Sequence, residues 1–134
     1  MYWFRAAAEG NHAEAPFNLA LAYENGEGTG VNLKKAFEYY KQAAELGNPA
    51  AQCNLAVAYL QGSGTKRNFQ KGLNWLHRAA RRGDAKAQFN LGMAYLEGMV
   101  VARNRHKARV WLSRSAKKGN RPAIRAFKRL PARR

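Results

Sequence analysis

The chain repeats itself every 36 residues, and that period excludes most ways of folding it. Ala51-Gln-Cys-Asn-Leu-Ala-Val-Ala-Tyr-Leu-Gln-Gly62 aligns without gaps with Ala87-Gln-Phe-Asn-Leu-Gly-Met-Ala-Tyr-Leu-Glu-Gly98, and Ala15-Pro-Phe-Asn-Leu-Ala-Leu-Ala-Tyr-Glu-Asn-Gly26 is a third copy. Leu19, Leu55 and Leu91 are 36 residues apart, as are Tyr23, Tyr59 and Tyr95. The second half recurs in step: Tyr39, Trp75 and Trp111; Ala44, Ala80 and Ala116; and a closing Gly47, Gly83 and Gly119 followed by Asn48, Asp84 and Asn120. A unit this short cannot bury its own apolar face, so neighbouring units must stack to make a continuous core.

Each unit reads as two helices. In the first, Ala51, Leu55, Ala58 and Tyr59 fall at i, i+4, i+7 and i+8, one face of a 3.6-residue period. Asn48 or Asp84 is placed to cap it, Pro49 suits its first turn, and Gly62 and Gly64 end it. The second helix is expected from about Phe69 to Arg82, with Gly83 as its C-terminal glycine and Arg81 and Arg82 against its negative dipole end. Gly72, Ala79 and Ala80 allow close helix approach, and Tyr59 and Trp75 fill the space between layers.

These motifs resemble the SEL-like (Sel-one-like) repeat family, a relative of the tetratricopeptide repeats. The resemblance rests on Ala-Gln-x-Asn-Leu-(Gly/Ala)-x-x-Tyr-x-x-Gly followed by Lys-(Ala/Gly)-x-x-(Trp/Tyr)-x-x-x-Ala-Ala-x-x-Gly. Residues 51–62 with 71–83, and 87–98 with 107–119, carry both parts. It implies an all-α, right-handed α-solenoid of antiparallel helix pairs. The divisions expected are a second helix of a partial repeat at 2–10, full repeats at 11–47, 48–83 and 84–119, and a basic C-terminal cap at 120–134, with a helix over Arg121–Leu130. On this reading the first helix of the leading unit is missing, either because the natural chain extends upstream or because Met1 truncates an array. The chain departs from the family at three points. Gly26-Glu-Gly28 and Gly62-Ser-Gly64 become Gly98-Met-Val100, so the third turn is expected to bend differently or to be stiffer. The first copy has one extra residue between Gly10 and Leu19. The disulfides of cysteine-rich members have no counterpart, because Cys53 is alone.

One cysteine also provides no zinc cluster. No apolar run is long enough to span a bilayer, and Met1–Phe4 is too short for a leader's apolar region. Cytoplasmic location is then the default expectation, with periplasm or secretion following if a leader precedes Met1. His12, His77 and His106 stand out of register with one another and lack a carboxylate or cysteine at ligand spacing. Gly26-Glu-Gly-Thr-Gly30 follows a helix and lacks the Lys-Ser/Thr ending of a phosphate loop. The sequence thus nominates no catalytic residue, no metal site and no cofactor, and points to a non-catalytic chain.

What remains is binding. Related tetratricopeptide solenoids line their concave face with first helices, and the resemblance implies the same here. With the core positions subtracted, the inward stripe is Phe17, Leu21 and Glu24, then Cys53, Val57, Leu60 and Gln61, then Phe89, Met93, Leu96 and Glu97. Such an apolar stripe either accepts a partner's peptide or helix or is covered by a neighbouring helix of the chain itself. Asn18, Asn54 and Asn90 recur beside it, placed to bond a peptide backbone or to bridge repeats. Charge is uneven. Residues 1–50 hold four bases and six acids, whereas Arg103 to Arg134 contains thirteen bases and no acid, within a total of +16. Arg78, Arg81, Arg82, Arg114, Lys117, Lys118, Arg121, Arg125, Lys128 and Arg129 form a basic patch suited to an acidic protein, a nucleic-acid backbone or an anionic surface. The expected function is a protein-interaction scaffold or adaptor. The alternative is a basic module docking on nucleic acid or another anionic surface.

Overall fold

The computed structural model describes residues 2–26 and 30–131, with side chains from Ala13 onward. Among these residues there are seven α-helices and no strand. They are α1 (Tyr2–Asn25), α2 (Leu33–Glu45), α3 (Pro49–Gln61), α4 (Phe69–Arg81), α5 (Ala85–Glu97), α6 (Arg105–Lys117) and α7 (Arg121–Arg129). The chain divides into two compact units, residues 1–75 and 76–134, with the division inside α4. In the first unit α1 packs on α2 and α2 on α3; in the second, α5 packs on α6 and α6 on α7.

The turn between repeats is one device used three times. Gly47, Gly83 and Gly119 take φ of 99°, 98° and 91°, a left-handed conformation that costs glycine little. Behind each glycine, the N–H of Asn48, Asp84 or Asn120 donates back to the carbonyl of Ala43, Ala79 or Ser115, closing a Schellman-type turn. The same residue then caps the next helix, its side-chain oxygen accepting from Ala51, Ala87 or Ala123 at 2.9 Å. The turn within each repeat is equally regular. Asn32, Asn68 and Asn104 cap α2, α4 and α6, and each donates its own N–H to Tyr23, Tyr59 or Tyr95 at 2.9 Å.

Small residues set the helix spacing. A Cβ at Gly72 would meet Leu60 at 2.8 Å, and one at Gly92 would meet Leu112 at 2.7 Å. The core of the first unit is Ala20, Ala36, Tyr40, Ala43, Ala44, Ala51, Leu55 and Tyr59, with Phe17, Leu21, Tyr23, Phe37, Tyr39 and Trp75 packed at its edge. Gln52 and Gln88 staple successive helices, their amide N–H groups donating to the carbonyls of Ala44 at 3.1 Å and Ala80 at 3.0 Å.

Three features depart from the expected pattern. Leu19 is 45% exposed although its counterparts Leu55 and Leu91 are fully buried. Leu55 is covered by the helix pair before it, and among the described residues no helix precedes α1 to do the same; Ala13, Pro16 and Ala20 are buried instead. α1 also runs continuously from Tyr2 to Asn25, through Gly10, where the sequence suggests a break. Finally, the Gly98-Met-Val100 turn does not bend differently. Val100 takes φ 70° where Gly64 takes 75°, and Gly62 and Gly98 match at 72° and 71°. The flanking hydrogen bonds, Gly98 N–H to Ala94 and Asn104 N–H to Tyr95, force a β-branched residue into a left-handed conformation that it disfavours. The Gly26-Glu-Gly28 turn lies mostly outside the described residues.

Candidate functional site

Each unit has an open cleft on its first-helix side. In the first unit, α1, α2 and α3 contribute Glu24, Leu33, Phe37, Tyr40, Asn54 and Val57 among the lining residues. Tyr40 is the centre of its polar floor. Its hydroxyl donates to Glu24 Oε1 at 2.9 Å and is also hydrogen-bonded by the Asn54 side chain. Burial, and then the adjacent Glu24 carboxylate, raise the phenol pKa well above its ordinary value, so Tyr40 remains a donor throughout the physiological range. Asn54, on α3, thus reaches Tyr40 on α2 from within the cleft that it lines.

In the second unit, α5, α6, α7 and their connections contribute Met93, Leu96, Arg103, Arg105, Ala126, Arg129, Leu130 and Pro131. The floor is aliphatic and the rim carries three guanidinium groups. Pro131 is held in place because Arg109 donates to its carbonyl while stacking over Phe127, 5.6 Å from the ring centroid.

The structure brings together some of the residues singled out in the sequence and separates others. Val57 and Asn54 line the first cleft, and Met93 and Leu96 the second. Phe17 and Leu21 are half-buried against the first unit's core, Phe17 lying 6.1 Å from the Tyr40 ring. Leu60 is packed at Gly72, Asn18 is exposed, and Phe89 and Asn90 are half-buried. Cys53, at 3% exposure, is buried among its neighbours rather than open to the groove. The ten basic-patch residues, from Arg78 to Arg129, are all exposed. Of these only Arg129 reaches a described cleft, where it joins Arg103 and Arg105, which the sequence reading did not single out. The missed signal was the period itself: position 33 advanced by two periods is Arg105, and position 57 is Arg129.

The repeated tyrosines and lysines also form a pattern that the sequence reading did not pair. Lys35 lies over Tyr23 at 5.3 Å, Lys71 over Tyr59 at 5.8 Å and Lys107 over Tyr95 at 5.4 Å, each a cation–π contact across one repeat. His77 also meets Tyr95 edge-on, with Nε2 3.5 Å from the hydroxyl. Burial, then Arg81 and Lys107, lower the His77 pKa. No group of three or more His, Cys, Asp or Glu side chains among the described residues is arranged to hold a metal ion. No described helix is long and apolar enough to cross a membrane.

Comparison with known proteins fits this geometry. The Sel1 repeat family model matches residues 1–12, 13–48, 49–84 and 85–120. The chain belongs to the Sel1 repeat family. Members of this family are generally non-catalytic protein-interaction scaffolds, and their fold is an α-solenoid of helix pairs. A protective antigen of uropathogenic Escherichia coli with an SLR fold is 39% identical over 95% of this chain and 27% of its own, with a TM-score of 0.82. A Sel1 repeat protein from Oxalobacter formigenes is 28% identical over 87% of this chain and 48% of its own, with a TM-score of 0.85. The chain thus spans about a quarter and about half of these two relatives. Cysteine-rich protein B of Helicobacter pylori shares the fold at 23% identity and a TM-score of 0.66, over 71% of each chain. No curated protein matches the chain.

Proposed function

We propose that this chain is a Sel1 repeat adaptor that holds a peptide or helix of a partner protein in its first-helix clefts. The observation that carries this reading is the placement of Val57 and of Met93 with Leu96. These apolar side chains line open clefts and are only half-buried, although the helices that bear them are otherwise well packed. An apolar surface left open inside a concavity is what a partner's side chains can fill. Capture of partner peptides by the full chain should survive 0.5 M salt, where charge contacts between exposed groups are strongly screened. Val57→Asp or Met93→Asp should abolish it. Capture that disappears with salt alone, and withstands both substitutions, overturns the reading.

One observation favours a second reading, a basic module docking on an anionic surface such as nucleic acid. Every side chain of the basic patch is exposed, and Arg103 to Arg134 contains no acid. That mode predicts affinity for a random-sequence oligonucleotide that falls steeply and log-linearly with salt.

A further inference from the structure

The two clefts are the same cleft two periods apart. Glu24, Leu33, Asn54, Val57 and Ala58 of the first correspond, at a shift of 72 residues, to Leu96, Arg105, Ala126, Arg129 and Leu130 of the second. The exchange inverts the chemistry. The carboxylate and the amide that make a polar floor with Tyr40 become leucine and alanine, and two apolar wall positions become arginine. Arg103 adds a third cation. None of these three arginines makes an ion pair with a described carboxylate; Glu97, next to Leu96 on α5, does not line the cleft.

We propose that the second cleft is a docking site for an acidic, apolar segment of a partner protein: an aliphatic or aromatic side chain flanked by Asp or Glu. The apolar side chain enters between Met93, Leu96 and Leu130, and the flanking carboxylates pair with Arg103, Arg105 and Arg129. Guanidinium groups favour this partner because their planar forks take carboxylates bidentately and are weakly hydrated, so they bind well beside an apolar floor. A phosphate backbone would satisfy the rim and leave the floor empty, and no aromatic ring lines the cleft on which a base could stack. The local geometry is preset. The strained Val100 turn, with Asn104 N–H bonded to Tyr95, fixes the segment that carries Arg103 and Arg105, and the Arg109–Pro131 contact fixes the opposite wall.

The proposal rests on the adaptor reading, and one experiment separates their failures. Random peptides displayed on phage are selected against the immobilised full chain and, in parallel, against Arg105→Glu/Arg129→Glu, with circular dichroism confirming that the variant is folded. A milder Arg105→Gln/Arg129→Gln variant replaces it if the double reversal unfolds. The wild-type chain should enrich peptides in which Leu, Ile, Phe or Met is flanked by Asp or Glu, and the variant should lose that enrichment. A synthesised winner should bind the variant at least about tenfold more weakly by fluorescence anisotropy. Replacing its apolar residue by Ser should cost about as much, roughly the worth of one buried aliphatic group. Enrichment without acidic residues, or acidic enrichment unchanged in the variant, overturns this site but leaves the adaptor reading standing. Failure to enrich any peptide overturns both. An acidic winner that tolerates the Ser replacement, or that a thymidine oligonucleotide displaces from the same arginines, shows a purely anionic surface and also overturns the proposal.

Discussion

The clefts of residues 1–75 and 76–134 share a backbone plan and diverge where side chains face solvent. From one repeat to the next the packed positions hardly change: Leu55 and Leu91, Ala44 and Ala80, Gln52 and Gln88, and the asparagine or aspartate caps. In front of them, the first cleft offers a carboxylate, a phenol and an amide, and the second offers three arginines over an aliphatic floor. Formal charge follows the same division. Residues 1–75 hold seven bases and six acids, and residues 76–134 hold seventeen bases and two acids. Repeat packing constrains only the residues that touch the next layer, so the period can be kept while the binding surface changes sign.

The in-repeat turn gives the sharpest way to break this comparison. Gly64 and Val100 occupy equivalent left-handed positions, yet they should respond in opposite directions. A Cβ at Gly64 would collide with the Leu33 carbonyl, so Gly64→Ala should destabilise the chain by about 3 kcal/mol. Urea denaturation would show this as a lower midpoint, and an unchanged midpoint would mean that the turn can relax. The second test exchanges cleft chemistry. Glu24→Leu, which copies position 96, removes the acceptor of the Tyr40 hydroxyl and should cost about 1.5 kcal/mol, with Tyr40→Phe in the same chain recovering much of it. Additive losses in the double variant would show that the two groups are uncoupled.

Val100→Gly should stabilise by about 1 kcal/mol, relief of strain outweighing the added freedom of glycine in the unfolded chain. A loss of stability would show that Val100 is not strained. The smallest effect is pH-dependent. Because the folded-state pKa of His77 is lowered, the unfolded chain takes up the proton first. Its contribution is therefore complete above the unfolded value of about 6.5 and is lost as pH falls through that value toward the lowered folded one. Tyr95, Arg81 and Lys107 surround the ring, and the two cations reinforce the direction set by burial. The melting temperature should fall between about pH 7.5 and 5.5, and His77→Gln should flatten that fall; parallel profiles would assign it to other groups.

Much of the fold was legible because its signals are local. Asn48 and Pro49 start α3, Gly62 ends it, and Gly83 with Asp84 turns the chain into α5, each through contacts within a few residues. Leu19 breaks the burial pattern of its counterparts Leu55 and Leu91 because burial of that position depends on a layer in front of it, which no local pattern reveals. The Gly98-Met-Val100 turn keeps the bend of its counterpart for the converse reason. Residue preference argued for a different bend, and the hydrogen bonds at both ends of the turn overrode it. Half of the second cleft was also missed. Arg103 and Arg105 precede α6 or begin it, far in sequence from Arg129, and charge counting alone merged them with an exposed basic face.

The sequence by itself determined the 36-residue unit, the helix pair within it, the caps that separate the helices and the family to which the chain belongs, because these depend on periodicity and nearest-neighbour chemistry. Only the tertiary structure decided which apolar residues stay open, that Cys53 is buried, that Tyr40 and Glu24 share a hydrogen bond, and that three arginines meet over Met93, Leu96 and Leu130. Those outcomes depend on which side chains the stacking of helices leaves facing one another, a property of pairs of helices that no single helix carries.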